Sequence, residues 1–255
     1  MYRKFCLLLL LLLPAVFSLQ AQESRLDSLL TGAATAYQEG RYDEAVVLYE
    51  TVLAEFGESD RLYYNLGNAC YKAGNIAPAI LNYERALRLN PGDEDTRFNL
   101  EMCQAYVVDK IEPLGEFLLV RWYRSLRGCF RSNTWALVSL GFFLLLLVSA
   151  ALYFLSSRRG LKKLAFTLGI LSILITTLAL VFSVQLRGEY IHPDQAVVFA
   201  PTVTVKSSPD KTGTDLFLLH EGTKVQLKSH LGSWTEIRLA DGSVGWLESE
   251  TIQII

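Results

Sequence analysis

Two long apolar segments dominate the hydrophobic pattern of the chain. Residues 134–155 and 164–186 contain no Asp, Glu, Lys or Arg. Lipid offers no partners for backbone N–H and C=O groups, so a segment that crosses a bilayer must satisfy them internally as a helix. A hydrocarbon core of about 30 Å needs about 20 helical residues, and both segments are longer than that. The pattern therefore predicts two transmembrane helices rather than a buried helical hairpin in a soluble core.

The first 21 residues have the pattern of a secretory signal peptide. Arg3 and Lys4 precede a short apolar run at residues 5–13, and Ala21 offers a cleavage site. An uncleaved anchor is the alternative. Cys6 lies before the leucine run, which excludes the lipoprotein pattern.

The loop at residues 156–163 is short and basic. By the positive-inside rule it would face the cytoplasm, since it carries Arg158, Arg159, Lys162 and Lys163. Four arginines also precede the first apolar segment, so the two counts nearly cancel. The predicted signal peptide decides between them: if the N-terminus is exported, the loop is cytoplasmic and both flanking regions lie outside.

A period of 34 residues organises the region 24–106. The pairs that recur at this spacing are Tyr37 and Tyr71, Gly40 and Gly74, Ala45 and Ala79, and Tyr49 and Tyr83. This pattern resembles the tetratricopeptide repeat, a helix pair that stacks on its neighbours to form an α-solenoid. The residues expected to shape the second repeat are Gly67, Gly74, Ala79, Tyr83, Ala86 and Pro91.

Two of these positions are small where the paired helices approach, and two end a helix. Gly67 and Ala79 allow the close approach, Gly74 ends the first helix, and Pro91 stops the second. The first repeat is degenerate, and residues 96–100 begin a third unit that has no second helix. We therefore predict two repeats plus a capping helix, which is small for an independent solenoid.

First-helix positions line the inner groove of such a stack. Here they are Arg61, Tyr64, Asn65, Asn68, Lys72, Phe98 and Asn99. Asn side chains can hold an extended peptide backbone through paired amide bonds, and Arg61 and Lys72 could hold a carboxylate. We predict a peptide-binding groove at these positions. The alternative is that these Asn residues belong to the generic repeat and bind nothing in particular.

Residues 115–131 have the pattern of an amphipathic helix. One face carries Leu119, Trp122, Tyr123, Leu126 and Phe130, and the opposite face carries Arg121, Arg124, Arg127 and Arg131. Trp and Arg on a helix directly before an apolar segment are typical of a bilayer interface. Packing against the repeat stack is an equally good interpretation, and the two do not exclude each other.

The C-terminal region, residues 191–255, alternates apolar and polar residues with the period of two that β-strands show. Asp241-Gly242 is a strong hairpin turn. Together with Glu221-Gly222 and the two tryptophans Trp234 and Trp246, this layout resembles a bacterial SH3-like barrel. We expect the tryptophans to be hydrophobic anchors first, with a ligand surface at either one as the alternative.

Composition adds few candidate chemical groups. The net charge of −2 gives no reason to expect nucleic acid as a partner. Cys70, Cys103 and Cys129 have no metal-ligand spacing, and no cysteine lies near the three histidines in sequence. No phosphate-binding Gly-rich loop is present. We therefore predict no catalytic residue, metal or cofactor, and we expect no enzyme.

The order of these regions resembles the BatE family of the Bat aerotolerance operon of Bacteroidetes-type bacteria. The resemblance implies an inner-membrane protein with repeats and barrel in the periplasm, beside von Willebrand factor A-type membrane proteins and a MoxR-type ATPase. The expected fold class is a multi-domain membrane protein: an α-solenoid, a transmembrane hairpin and an all-β SH3-like barrel. The expected function is a scaffold for protein–protein interaction in an envelope-stress complex; the alternative is a peptidoglycan binder or sensor that acts through the barrel.

Overall fold

The computed structural model describes residues 22–115 and 117–255, so the predicted signal peptide at residues 1–21 lies outside the described residues. The helices are α1 (22–38), α2 (Tyr42–Phe56), α3 (Asp60–Lys72), α4 (Ile76–Leu89), α5 (Glu94–Gln104), α6 (Leu118–Gly128), α7 (Ser132–Leu155) and α8 (Arg159–Ile191). The strands are β1 (Gln195–Val198), β2 (Thr202–Lys206), β3 (Asp215–His220), β4 (Lys224–Leu231), β5 (Trp234–Arg238), β6 (Val244–Glu248) and β7 (Ile252–Ile254). Helical repeats, two long apolar helices and a sheet thus follow one another in the predicted order.

The first four helices form two helix–turn–helix units with the same turn. Gly40 and Gly74, one period apart, have positive φ angles of 78° and 86°, a conformation that glycine adopts without steric cost. In the first unit the N–H of Arg41 donates to the carbonyl of Ala36 at 2.8 Å, and an equivalent bond of 2.9 Å closes the second turn. These bonds satisfy carbonyls that a helix end leaves free. The predicted repeat is confirmed.

Small residues set the distance between the paired helices. Ala45 and Ala79 are fully buried at equivalent positions of the two units. Gly67 of α3 faces Tyr83 of α4, and a methyl group at Gly67 would lie 2.7 Å from the ring. Tyr83 is fully buried, and its hydroxyl donates a 2.7 Å hydrogen bond to Oδ1 of Asn68. The tyrosine ring therefore occupies the space that any larger residue at position 67 would need.

Helix α5 closes the repeat region as a single helix. Helix α4 ends at Leu89, just before Pro91. In the first turn of α5 the buried Thr96 donates its hydroxyl to Asp93 at 2.7 Å. The chain does not form a second helix after α5 to complete a third repeat; residues 105–115, here called the strap, instead cross to the C-terminal sheet.

Helices α7 and α8 form a tightly packed hairpin. The hydroxyl of Ser139 donates to the carbonyl of Thr176 at 3.2 Å across the helix contact. Helix α8 begins at Arg159, inside the predicted basic loop, because the loop residues continue the helix beyond the apolar segment. By length and composition both helices are able to cross a membrane, a criterion that the core helix of a soluble protein also meets.

Helix α6 packs along the end of α8 and runs in the same direction. The hydroxyl of Tyr123 donates to Gln185 at 2.7 Å, and Arg127 pairs with Glu189 at 2.7 Å. Because the second contact lies four residues after the first in both helices, the two helices run in the same direction. Beyond the helix, Arg131 pairs with Asp60 of α3 at 2.5 Å. The amphipathic helix α6 therefore contacts the apolar hairpin, and Arg131, just after it, contacts the repeats.

The sheet is antiparallel, with the strand order β3-β2-β6-β5-β4-β1-β7. One buried cluster draws side chains from β1 to β6, including Val198, Val205, Leu219, Ile237 and Leu247. Because strands at opposite ends of this order contribute to the same cluster, the sheet curls around it. The hairpin at Asp241-Gly242 forms as predicted, since Gly242 has φ 91°.

The strap joins the repeats to the sheet through one carboxylate. Oδ2 of Asp109 accepts hydrogen bonds from the backbone N–H of His220 (2.7 Å) and the hydroxyl of Thr223 (2.6 Å), and Oδ1 lies 2.8 Å from His220 Nδ1. Burial raises the pKa of Asp109, but the hydrogen bonds from Thr223 and His220 outweigh it, so the pKa lies below its usual value.

A second contact between repeats and sheet lies on α4. Glu84 pairs with Lys224 of β4 at 2.7 Å, and Arg85 donates to the carbonyl of Ile254 at 2.7 Å. Val197 of β1 and Ile255 belong to the same buried apolar cluster as the repeat core. The repeat core therefore extends to Val197 and Ile255 of the C-terminal region, beside the sheet's own buried cluster.

The Gly67–Tyr83 contact predicts opposite effects for two Gly→Ala substitutions in helices. Gly67→Ala should destabilise the repeats by about 1–3 kcal/mol, because the methyl group overpacks a buried ring. Gly32→Ala places its methyl group 3.6 Å from Leu48 and should be neutral or stabilise by up to about 1 kcal/mol through helix propensity. Hydrogen exchange of the α3 and α4 amides in the full chain measures the first effect. Equal protection in both variants would contradict this packing.

The Asp109 contact predicts a pH-dependent stabilisation of strap docking. Asp109→Ala leaves the His220 N–H and the Thr223 hydroxyl without their acceptor and should cost about 1–3 kcal/mol. Glu112→Ala, an exposed site on the same strap, is the control and should cost nothing measurable.

Because the folded-state pKa of Asp109 is lowered, its contribution is complete above the unfolded value of about 3.9 and disappears as pH falls through the folded value. The melting temperatures of wild type and Asp109→Ala should therefore differ at pH 6 and converge as the pH falls below the unfolded-state value of about 3.9. A difference that persists unchanged in acid would show that the carboxylate charge is not responsible.

Candidate functional site

The predicted groove residues of α3 lie on one face of that helix. Arg61 and Lys72 are exposed, whereas Tyr64, Asn65 and Asn68 are half-buried. At 100° per residue all five fall within about one-third of the circumference. The five positions therefore share one face of α3, and whether this face lines a groove that binds a peptide stays a prediction.

Asn68 serves the fold of this face. Its Oδ1 accepts hydrogen bonds from the Tyr83 hydroxyl at 2.7 Å and from Asn99 Nδ2 at 2.9 Å. Asn99 Nδ2 also lies 3.4 Å from the Tyr64 hydroxyl. These bonds connect α3, α4 and α5, so the side chains of Asn68 and Asn99 are already engaged within the repeats.

Asn65 differs from these two. Its side chain makes no hydrogen bond to any described residue and is half-buried on the α3 face. Phe98, on the neighbouring α5, is 68% exposed although it is a large apolar residue. An amide without a described partner on α3 and an exposed aromatic ring on α5 are groups that a bound extended segment would engage.

The two basic residues of the face cannot hold one carboxylate together. Arg61 and Lys72 are eleven residues apart on α3, which is about 16 Å along a helix. Neither forms an ion pair with the described residues. They mark opposite ends of the face, and whether either of them holds a carboxylate stays a prediction.

The sequence did not predict a contact between two tyrosines at the end of α3. The rings of Tyr71 and Tyr106 lie 6.2 Å apart between centroids, and their hydroxyls lie 3.4 Å apart. Tyr106 is 62% exposed and starts the strap. The recurrence of Tyr37 as Tyr71 signalled one member of the pair, but Tyr106 lies outside the repeat pattern.

The two tryptophans of the sheet have different environments. Trp234 of β5 is buried, at 8% exposure, whereas Trp246 of β6 is half-buried. Trp246 lies opposite Glu236 on β5 and Lys206 on β2. Trp234 is thus an anchor of the sheet, and Trp246 is the tryptophan that keeps part of its surface accessible.

The remaining residues that were expected to shape the second repeat have structural positions. Ala86 is 1% exposed within α4, and Pro91 lies in the turn before α5. Burial raises the pKa of the Cys70 thiol to about 12 and that of the Cys103 thiol to about 11. Both thiols are therefore protonated near neutral pH and act as apolar core groups.

Comparison with known proteins identifies the repeats. Residues 36–95 match the family model of the tetratricopeptide repeat. Tetratricopeptide repeat protein 16 of Homo sapiens and of Macaca fascicularis is 33% identical over 85 residues, which is 33% of this chain and 10% of theirs. The chain thus spans about a tenth of the curated relatives that it matches.

Among solved structures, PcrH from Pseudomonas aeruginosa aligns with a TM-score of 0.31 and 14% identity, covering 62% of this chain and 92% of PcrH. The type III secretion translocator chaperone SycD of Yersinia enterocolitica aligns with a TM-score of 0.30 and 17% identity, covering 61% and 86%. Scores this low support no conclusion about how this chain works.

Proposed function

Because this chain is a tetratricopeptide repeat protein, we propose that it is a non-enzymatic, membrane-anchored scaffold whose α3–α5 face binds an extended segment of another protein. One observation supports this above all: the Asn65 side chain forms no hydrogen bond to a described residue and Phe98 of α5 is exposed, whereas Asn68 and Asn99 on the same face are bonded to each other. A stack of repeats presents such a face for protein partners.

The distribution of polar and apolar residues on α7 and α8 supports the membrane anchor. Only 11% and 22% of their apolar windows are buried within the chain. Their serines, by contrast, are turned inward, with Ser139, Ser149 and Ser172 buried at the helix contact. Leucines on the outer surface of the hairpin and serines at the helix contact are the reverse of the arrangement in a soluble protein. This arrangement fits helices that are surrounded by lipid.

The orientation follows from the predicted signal peptide. Both ends of the hairpin emerge on the side of the repeats and the sheet, so those two regions would lie together outside the cytoplasm. The resemblance to the BatE family gives this side as the periplasm and suggests von Willebrand factor A-type membrane proteins and a MoxR-type ATPase as the surrounding system.

The sheet, with its curled antiparallel strands, is the proposed SH3-like domain. Its contacts with α4 and the strap suggest that it first holds the repeats in place. The half-exposed ring of Trp246 is the position from which an additional peptidoglycan contact would be made.

A photo-crosslinking residue tests the proposed groove in native membranes. Placed at Phe98 it should crosslink to a protein partner, whereas at Val47, 60% exposed on α2, it should give no specific product. Asn65→Ala should reduce the Phe98 crosslink about fivefold, since one lost hydrogen bond costs about 1 kcal/mol, and should leave the melting temperature unchanged. Crosslinks of equal strength at Phe98 and Val47, or no effect of Asn65→Ala, would place the partner elsewhere.

The native cysteines test the proposed topology. Cys129 is exposed at the end of α6, whereas Cys70 and Cys103 are buried with raised pKa values. A membrane-impermeant maleimide should therefore label Cys129 in intact cells. In a Cys129→Ser background, Gly160→Cys in the loop region should be labelled only after permeabilisation. Labelling of Gly160→Cys in intact cells would contradict the topology.

A further inference from the structure

A large cleft lies where the repeats, α6, the end of α8 and the sheet meet. Its volume is about 1350 Å³. Helix α6 contributes one wall, with Arg121, Arg124 and Arg127, and the α4–α5 corner contributes another, with Arg88 and Arg97. The cleft is thus bounded by arginines from two separate parts of the fold.

The two faces of α6 point in different directions. The arginine face lines the cleft, while Leu118, Leu119 and Trp122 are 78%, 79% and 66% exposed. Because α6 runs parallel to α8, with Tyr123 at Gln185, its first residues lie beside the apolar part of α8. The exposed apolar side chains of α6 therefore lie beside the apolar surface of the hairpin, and the same turn of α6 contributes Val120 and Arg121 to the cleft.

The cleft has more cations than anions. Six Arg and Lys residues line it against four Asp and Glu residues, an excess of two positive charges. Glu84 is paired with Lys224, and Glu189 with Arg127. Arg97 donates to a carbonyl oxygen, that of Pro91, at 2.5 Å, and Arg121 is exposed with no ion-pair partner in the described chain. Arg97 and Arg121, on opposite walls of the cleft, are thus two cations that form no ion pair with a described carboxylate.

We propose that this cleft binds the phosphate headgroup of an anionic phospholipid of the membrane in which α7 and α8 are anchored. The proposal rests on the membrane anchor proposed above. Guanidinium groups match the geometry of a phosphate group with paired N–H donors, and basic pockets beside transmembrane helices bind such headgroups. The acyl chains would then lie against the exposed apolar face of α6 and against α8.

A lipid fits these observations better than an acidic peptide does. An acidic peptide would need only cationic side chains to bind. Here the cationic cleft also borders an exposed apolar surface beside the hairpin. A molecule with a phosphate at one end and hydrocarbon at the other satisfies both surfaces at once.

Native mass spectrometry of the full chain in mild detergent tests the site. Phosphatidylglycerol should bind with one-to-one stoichiometry and survive activation energies that remove phosphatidylcholine. The variant R97Q/R121Q should bind phosphatidylglycerol at least about tenfold more weakly. The control R158Q/R159Q loses the same two charges at the opposite end of the hairpin and should bind as wild type does.

Each other result overturns the proposal. Equal affinity of wild type and R97Q/R121Q, or equal loss in both variants, would show that lipid is attracted only by general charge. Displacement by glycerol phosphate or a Glu-rich peptide at the concentration of the lipid would assign the cleft to a soluble ligand. Alkaline extraction of membranes is measured in parallel. Release of the chain there would contradict the anchor itself, whereas a retained chain without specific lipid binding would contradict the cleft alone.

Discussion

A stack of only two repeats and a cap cannot cover its own apolar surface, and the sheet solves this problem. Stacked repeats bury their core against neighbours, so the ends of a short array remain apolar. Here Val107 of the strap, Val197 of β1 and Ile255 complete the repeat core. The apolar contribution to stability is therefore shared between two regions that are separated in sequence by the helical hairpin.

Sharing a core across the hairpin fixes where the hairpin can lie. Asp60 of α3 pairs with Arg131 just before α7, and Glu58 accepts a hydrogen bond of 3.2 Å from Tyr190 near the end of α8. Arg88 of α4 lies over the Tyr190 ring at 5.3 Å. Both ends of the hairpin are thus attached to the corner where α3 begins and α4 ends. If α7 and α8 form the proposed membrane anchor, attachment at both ends limits rotation of the repeats relative to the membrane surface.

Local patterns in the sequence predicted the helices, strands and turns, but they did not predict which side chains contact each other between these elements. The period of 34 residues predicted the two turns, since Gly40 and Gly74 must adopt the same positive φ. It also placed Asn65 and Asn68 on one face of α3. It could not show that Asn68 is engaged by Tyr83 and Asn99, because that depends on how three helices meet. Asp109 carried no signal at all, since its partners are more than 100 residues away in sequence.

Helix α5 links the two proposed sites. Phe98 and Asn99 belong to the α3–α5 face, while Arg97 lines the cleft beside α6. Asn99 is bonded to Asn68, and Arg97 to the carbonyl of Pro91 immediately before the helix, so a movement of α5 would alter both surfaces. Helix α5 lacks the second helix that would complete a repeat and buries Thr96, Leu100 and Cys103 on one side only. Because it carries residues of both surfaces, α5 is the helix through which a partner in the proposed groove and a lipid in the proposed cleft would affect each other.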